Sequence, residues 1–417
     1  MELKRVAVTG LGALTPLGNT WQETWKAMQA GESGAAEITR FDASQYKTRF
    51  ACEVKNYDPL NYFDRKEARK NDFFVHYAMI AADEALNDSG LDLEKIDKNR
   101  VGVIWASGVG GLFSFQEEVY KHAKNNGKPR FTPFFITRLI VDLAAGMISI
   151  KNGFRGPNYA TVSACASSTN ALIDGFNAIR YGKANIIVSG GSEAAVTESG
   201  MGGFSAMRAL SERNDDPKTA SRPFCKDRDG FVLGEGGVAL ILEEMEHAKA
   251  RGATIYAEVV GGGMAADAYH ITSTHPEGLG AVLGMNAALD DAGLHPNDVD
   301  YINAHATATP VGDVSEVKAI EKVFAETVDK INVSATKSMT GHLLGAAGAI
   351  EGMATVLAIH DNVVPPTINH HTLDPDMETR IDLTLGKKKE KTINVAMSNT
   401  FGFGGHNAIA VFKKYDE

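Results

Sequence analysis

From Ile255 the chain begins again. IYAEVVGGGMAAD parallels KRVAVTGLGAL, a strand running into glycines, and VDYINAHATAT parallels RVGVIWASGVG. INVSATKSMTGHLLGAAGAIEGMA parallels YATVSACASSTNALIDGFNAIRYG, with Val-Ser-Ala shared at 162–164 and 333–335, and INVAMSNTFGFGG parallels ANIIVSGGSEA. Segments that recur in one order mark an internal duplication, which predicts two halves, 1–254 and 255–417. Strands alternate with helices across short glycine turns, so each half reads as α/β with a mostly parallel sheet. Packed together, the halves predict a layered structure with a site where strand ends meet. The interval from Ile104 to Val162 is about 27 residues longer than that from Ile302 to Val333. The first half therefore carries an insertion, about 112–158, with an aromatic cluster at Phe131, Phe134 and Phe135. Apolar and present in one copy only, it is a candidate subunit contact.

Local signals fill in the elements. Arg5 to Thr9 reads as a strand with LGALTPLGN as the loop after it, Thr20 caps a helix through Met28, and Phe63 to Leu86 reads as one long helical stretch. Gly10 and Gly12 after the first strand invite a dinucleotide-binding reading, but Thr15 stands where the third glycine of that motif belongs. A net charge of −10 argues against a nucleic-acid partner. Cys52, Cys165 and Cys225 are too few and too scattered for a disulfide framework or a zinc site, which fits a reducing cytoplasm. The amino terminus enters a strand with no signal-peptide pattern. No apolar run approaches the roughly 20 residues of a membrane span.

Cys165 stands where a strand ends and a helix begins. Small residues surround it, Ala164 to Ser168, and Leu172, Phe176 and Ile179 follow at helical spacing. The free N–H groups and positive end of that helix are expected to stabilise a thiolate. In the second copy the matching strand ends carry His305, Lys337 and His342. A duplicated fold brings such ends together, so cysteine and histidines are expected to converge. A thiolate with two imidazoles suits acyl transfer followed by attack of a carbon nucleophile: the cysteine takes the acyl group, and the imidazoles stabilise an enolate as carbon dioxide leaves. NTFGFGGHN supplies a third strand end, whose N–H groups would complete an oxyanion hole with that of Cys165. Thr307 and Thr309 could hydrogen-bond an amide-bearing arm. Asp267, Asp313 and Glu351 could orient Lys337 and the histidines, hold waters, or simply lie on the surface.

SACASST, NAHATAT, KSMTGHLLGAAGAIE and NTFGFGGHN together resemble the β-ketoacyl-acyl-carrier-protein synthases of the condensing-enzyme family, and among them the elongating, synthase II type. The resemblance runs from the first strand to Phe412. It implies a thiolase-like fold of five αβαβα layers, a homodimer, and no cofactor or metal, the substrate arriving on the phosphopantetheine of acyl carrier protein. It further implies Cys165 as nucleophile, His305 and His342 as the decarboxylating pair, and Lys337 and Glu351 as their support. Phe403 would be the gate and oxyanion donor, with Phe401 beside the histidines and Thr307 and Thr309 meeting the pantetheine arm. Val109, Gly200 and Phe204 would line the acyl pocket, with Phe135 reaching over from the partner subunit. Lys66, Arg69, Lys70, Lys128, Arg130 and Arg208 would dock the acidic carrier. The chain departs from the family pattern at Ser167-Ser168, Ala306 and His406, none of which removes a reacting group. Two other readings remain: a ketosynthase of a polyketide or aryl-polyene pathway, and a non-catalytic chain-length partner.

Overall fold

A computed structural model describes residues 3–377 and 379–416. Its centre is a ten-stranded sheet. In chain order the strands are β1 (Val6–Leu14), β2 (Val101–Ala106), β3 (Asn158–Thr161), β4 (Ile186–Glu193), β5 (Gly236–Glu244), β6 (Ala257–Ala266), β7 (Tyr301–Asn303), β8 (Asn332–Ser334), β9 (Val395–Gly402) and β10 (His406–Lys413). From the middle outward, one side reads β1-β5-β4-β2-β3 and the other β6-β10-β9-β7-β8. The two orders correspond strand for strand. In each, only β5 or β10 runs against the other strands. An antiparallel bridge joins the sides, pairing Val6 with Val259 and Val8 with Ala257.

Six helices make the remaining layers: α1 (Phe73–Asp88), α2 (Leu143–Asn152), α3 (Ser167–Arg180), α4 (Leu279–Ala292), α5 (Pro310–Val323) and α6 (Ala347–Asp361). Alternation along the strands decides which face meets which helix. Ile104, Ile187 and Leu240 turn inward, onto Leu172 and Phe176 of α3 and Ile350, Met353 and Leu357 of α6. Their neighbours Val103, Val188 and Ile241 turn outward, onto α1 and α2. On the other side Ala396, Ala410 and Phe412 meet the central helices, while Ile302, Met397 and Ile409 meet α4 and α5. The layers run α-β-α-β-α, with both sheet faces buried, as such β-rich apolar strands require.

Several local expectations change. β1 continues through Leu14, absorbing the first four residues of the expected loop. A Cβ on Gly10 would lie 2.3 Å from Ala85 O, and one on Gly12 would lie 2.1 Å from Ala81 O. These glycines admit α1 against the strand and cradle no phosphate. The stretch from Phe63 is two helices, Arg65–Lys70 and α1, because Asp72 breaks it and accepts from Phe74 N–H as the cap of α1. The insertion forms a helix, Leu112–Lys124, a short one, Phe135–Leu139, and α2, with Phe115, Phe131 and Phe135 stacked in a row at the surface.

Candidate active site

The ends of the parallel strands of both halves open on one cavity of about 470 Å³. Cys165 lies in the loop between β3 and α3. The residue before it, Ala164, has φ of 51°, a left-handed conformation that a non-glycine residue adopts only where its surroundings hold it there. The loop is pinned by Ser163 N–H donating to Ser167 Oγ and Ala166 N–H donating to Ser163 O. At its back stands Gly402, where an added Cβ would meet Ser163 O at 2.6 Å and Cys165 N at 3.0 Å. The glycine loop thereby reaches Cys165, and the Phe403 N–H draws the thiol's pKa down.

His342 Nε2 is 3.0 Å from Cys165 Sγ. The His305 and His342 rings stand edge to face at 5.5 Å, and Phe401 lies 5.6 Å from His305. The donor atoms of Cys165, His305 and His342 all fall within 4.8 Å of one another, the one set of three or more among the described residues that could ligate a metal. Lys337 Nζ sits 3.3 Å from His305 Nδ1 and pairs with Glu351 in full burial. Lysine only donates, so Nδ1 accepts and the His305 proton sits on Nε2. His342 Nδ1 has no hydrogen-bond partner among the described residues.

Burial sets the charges. It lowers both histidines well below the usual imidazole range, with the Lys337 ammonium adding to the effect, so both rings are neutral. It lifts the Cys165 thiol to about 11 against the pull of Lys337 and the Phe403 N–H, and Glu351 to about 7. Loss of water around the sulfur therefore works against the thiolate that the helix end and the Lys337 cation favour.

The structure also sorts the supporting residues. Thr307 and Thr309 line the cavity and share a 3.1 Å hydrogen bond. Val109 and Phe204 line it as well, and Arg208 stands with Met207 among its walls. Gly200 does not. A Cβ there would lie 2.0 Å from Ala195 O, so the residue serves helix packing. Phe135 stacks on Phe131 away from this chain's cavity. Asp313 and Asp267 do not touch the catalytic set. Asp313 accepts from the N–H groups of Phe224, Ala308 and Thr309 and faces Arg228, fixing the threonine loop. Asp267 accepts from Asn407 and from His275 N–H, tying the glycine loop to its neighbour. Lys66, Arg69, Lys128 and Arg130 are exposed off the cavity, and Lys70 is paired with Glu67.

Two buried carboxylates escaped the sequence reading. Glu316 accepts from the N–H groups of His305 and Ala306 and from Asn399. Glu193 accepts from Ser107, Gly108, Val109, Gly110 and Gly345. The signal for Glu193 was its place at the end of an apolar strand, in GGSEA. Glu316 lies in a helix whose charges look solvated from sequence, and only its spacing of three from Asp313 pointed inward.

Comparison with known proteins gives the following. The model of the β-ketoacyl synthase amino-terminal domain matches residues 3–248, and that of the carboxy-terminal domain matches residues 256–371. The chain is 49% identical over 413 residues to a 3-oxoacyl-[acyl-carrier-protein] synthase 2 of Staphylococcus aureus, covering 99% of each. It is 49% identical over 415 residues to the protein of that name from Synechocystis, covering 100% of this chain and 99% of the relative. Among solved structures, a β-ketoacyl synthase from Burkholderia phymatum superposes with a TM-score of 0.92 at 34% identity, over 99% of this chain and all of the other. A ketosynthase solved with the acyl-carrier protein of a type II polyketide synthase gives 0.91 at 33% identity over the full length of both. Among the described residues no helix is long and apolar enough to cross a membrane.

Proposed function

The chain belongs to the β-ketoacyl synthase family, and from that premise we propose that it elongates fatty acyl chains by decarboxylative condensation of an acyl-enzyme thioester with malonyl-acyl-carrier protein. The observation that carries this is the meeting of one thiol with two neutral imidazoles in a single cavity.

In the first half-reaction Sγ of Cys165 attacks the acyl thioester. A C–S bond to the enzyme forms, the bond to the carrier breaks, and the thiol proton passes through His342 Nε2 to the departing carrier thiol. The N–H groups of Cys165 and Phe403 hold the oxyanion. In the second, malonyl-carrier loses carbon dioxide. His305, with its proton fixed on Nε2 by Lys337, donates to the enolate oxygen. His342, whose Nδ1 has no partner among the described residues, can carry its proton on either nitrogen, so it serves first as relay and then as second donor. The enolate carbon attacks the acyl carbon, a C–C bond forms, and the sulfur leaves as thiolate and takes a proton from solvent. Electrons balance within the two thioesters, so no cofactor enters. Val109 and Phe204 face the acyl chain, Thr307 and Thr309 the pantetheine arm, and the exposed basic residues with Arg208 the acidic carrier. The stacked aromatics of the insertion fit a second copy of the chain, which would carry Phe135 to the neighbouring pocket. Three free cysteines and a carrier-borne substrate fit the cytoplasm.

The deciding experiment supplies carriers loaded with C6 to C16 acyl groups together with malonyl-carrier and identifies the products. The proposal requires β-ketoacyl-carriers two carbons longer. Malonyl decarboxylation must also persist in Cys165→Gln, whose amide imitates an acylated thiol, while condensation is lost. A Cys165→Ala enzyme that still condenses would end the assignment.

A further inference from the structure

Glu193 is fully buried at the end of β4, and every partner it has is neutral. Its Oε1 accepts from Ser107 Oγ at 2.9 Å and from the N–H groups of Val109 and Gly110 at 3.2 and 3.3 Å. Its Oε2 accepts from the N–H groups of Gly108 at 2.7 Å and Gly345 at 3.0 Å. No cation stands among these partners, so four backbone N–H groups and one hydroxyl hold the carboxylate. The donors belong to two segments distant in sequence. Residues 107–110 carry Val109, the acyl wall, and Gly345 follows His342 by three residues, next to Leu344, which also lines the cavity. The segments touch: a Cβ on Gly345 would fall 2.0 Å from Gly108 N and 2.9 Å from the Glu193 carboxylate.

We infer that Glu193 is a positioning residue that sets the acyl wall against the His342 turn and thereby determines which chain lengths the site accepts. It touches no substrate, and it acts through Val109 and Leu344. The inference rests on the condensing reading for its substrate and on geometry for the link itself. Its negative charge also helps hold the Cys165 thiol up, which gives a second readout.

Glu193→Gln tests it. An amide keeps the volume but turns donors toward donors at one of the two oxygens, so one of the two segments is released. The ratio of kcat/KM for a C14 acyl-carrier to that for a C6 acyl-carrier is expected to fall by about tenfold, the equivalent of one or two broken charge-assisted bonds. The pH profile of Cys165 alkylation by iodoacetamide is expected to shift to lower pH. Ser107→Ala, which removes one bond and leaves the carboxylate, should move the ratio the same way by about threefold and leave the alkylation profile in place. It also secures the test if the amide variant does not fold. A C14-to-C6 ratio unchanged in every folded variant overturns the assignment. Should no carrier be elongated even by the unaltered enzyme, the condensing reading fails by itself. The chain-length assignment, which rests on that reading, then falls with it, whereas an unchanged ratio in an enzyme that condenses overturns it alone.

Discussion

Gly402 offers the most direct test of how the oxyanion site is built. Its φ is not in the left-handed region, so alanine is free of backbone strain there. The obstacle is contact: the new methyl would stand 2.6 Å from Ser163 O, 3.0 Å from Cys165 N and 3.2 Å from Ala166 N. A carbon at rest against a neighbour needs about 3.5 Å, and all three atoms belong to the backbone of the nucleophile loop, which cannot swing aside as a side-chain tip can. The end of β9 must therefore retreat by most of an ångström, taking the Phe403 N–H with it. A displacement of about 1 Å in a reacting constellation costs on the order of 100-fold, or about 2.7 kcal/mol of barrier. Gly402→Ala is thus expected to lose about 100-fold in condensation while remaining folded, since a single overpacked methyl costs about 1–3 kcal/mol of stability. Steady-state condensation beside thermal unfolding measures both, and Gly203→Ala, a helical glycine with nothing within 4 Å of its added methyl, is the control. Condensation within threefold of the parent in a folded Gly402→Ala protein would refute the claim that this contact sets the oxyanion donor.

Two further outcomes follow from charge. With the thiol held up at about 11, the neutral form dominates below that value and the reactive thiolate grows as pH rises. Iodoacetamide inactivation of the free enzyme should climb about tenfold per pH unit from pH 7 to 10, and a plateau below pH 8 would show a stabilised thiolate instead. Arg69→Glu should raise the KM for acyl-carrier protein by threefold or more at low salt, leaving turnover of small thioesters unchanged. An unaltered KM removes that arginine from the docking surface.

Cys165 and His305 were legible because each sits just past a strand end, where period-two alternation stops and small residues follow, and His342 because it lies at the mouth of the helix that matches the Cys165 helix. Repeated in two copies, that signature located Cys165, His305 and His342 before any coordinate. What stayed hidden was the direction of buried polar side chains. Asp313, Asp267 and Glu351 were read as one class, yet only Glu351 meets Lys337, and the other two brace loops. Gly200, drawn to the pocket by its motif, is a packing glycine under Ala195. The balance at the thiol stayed hidden for a related reason: sequence displays the helix start but not the burial that opposes it.

The duplication itself explains how one symmetric frame yields an asymmetric site. Val-Ser-Ala ends both the third and the eighth strand segments, at 162–164 and 333–335, and the next residue is Cys165 in one copy and Thr336 in the other. In the first copy Ala164 is left-handed, which turns Cys165 out of the strand and into the cavity before α3 begins. In the second, Thr336 lies in the right-handed region and turns its hydroxyl to Asn303 in the core. A single helical turn, Lys337–Thr340, then precedes Gly341 and the turn that delivers His342. One backbone angle separates a strand end that presents a nucleophile from one that buries a hydroxyl. The extra turn before α6 gives the second copy the length to send both a lysine and a histidine across to the first. Catalysis here needs both copies because neither strand end can present sulfur and imidazole at once.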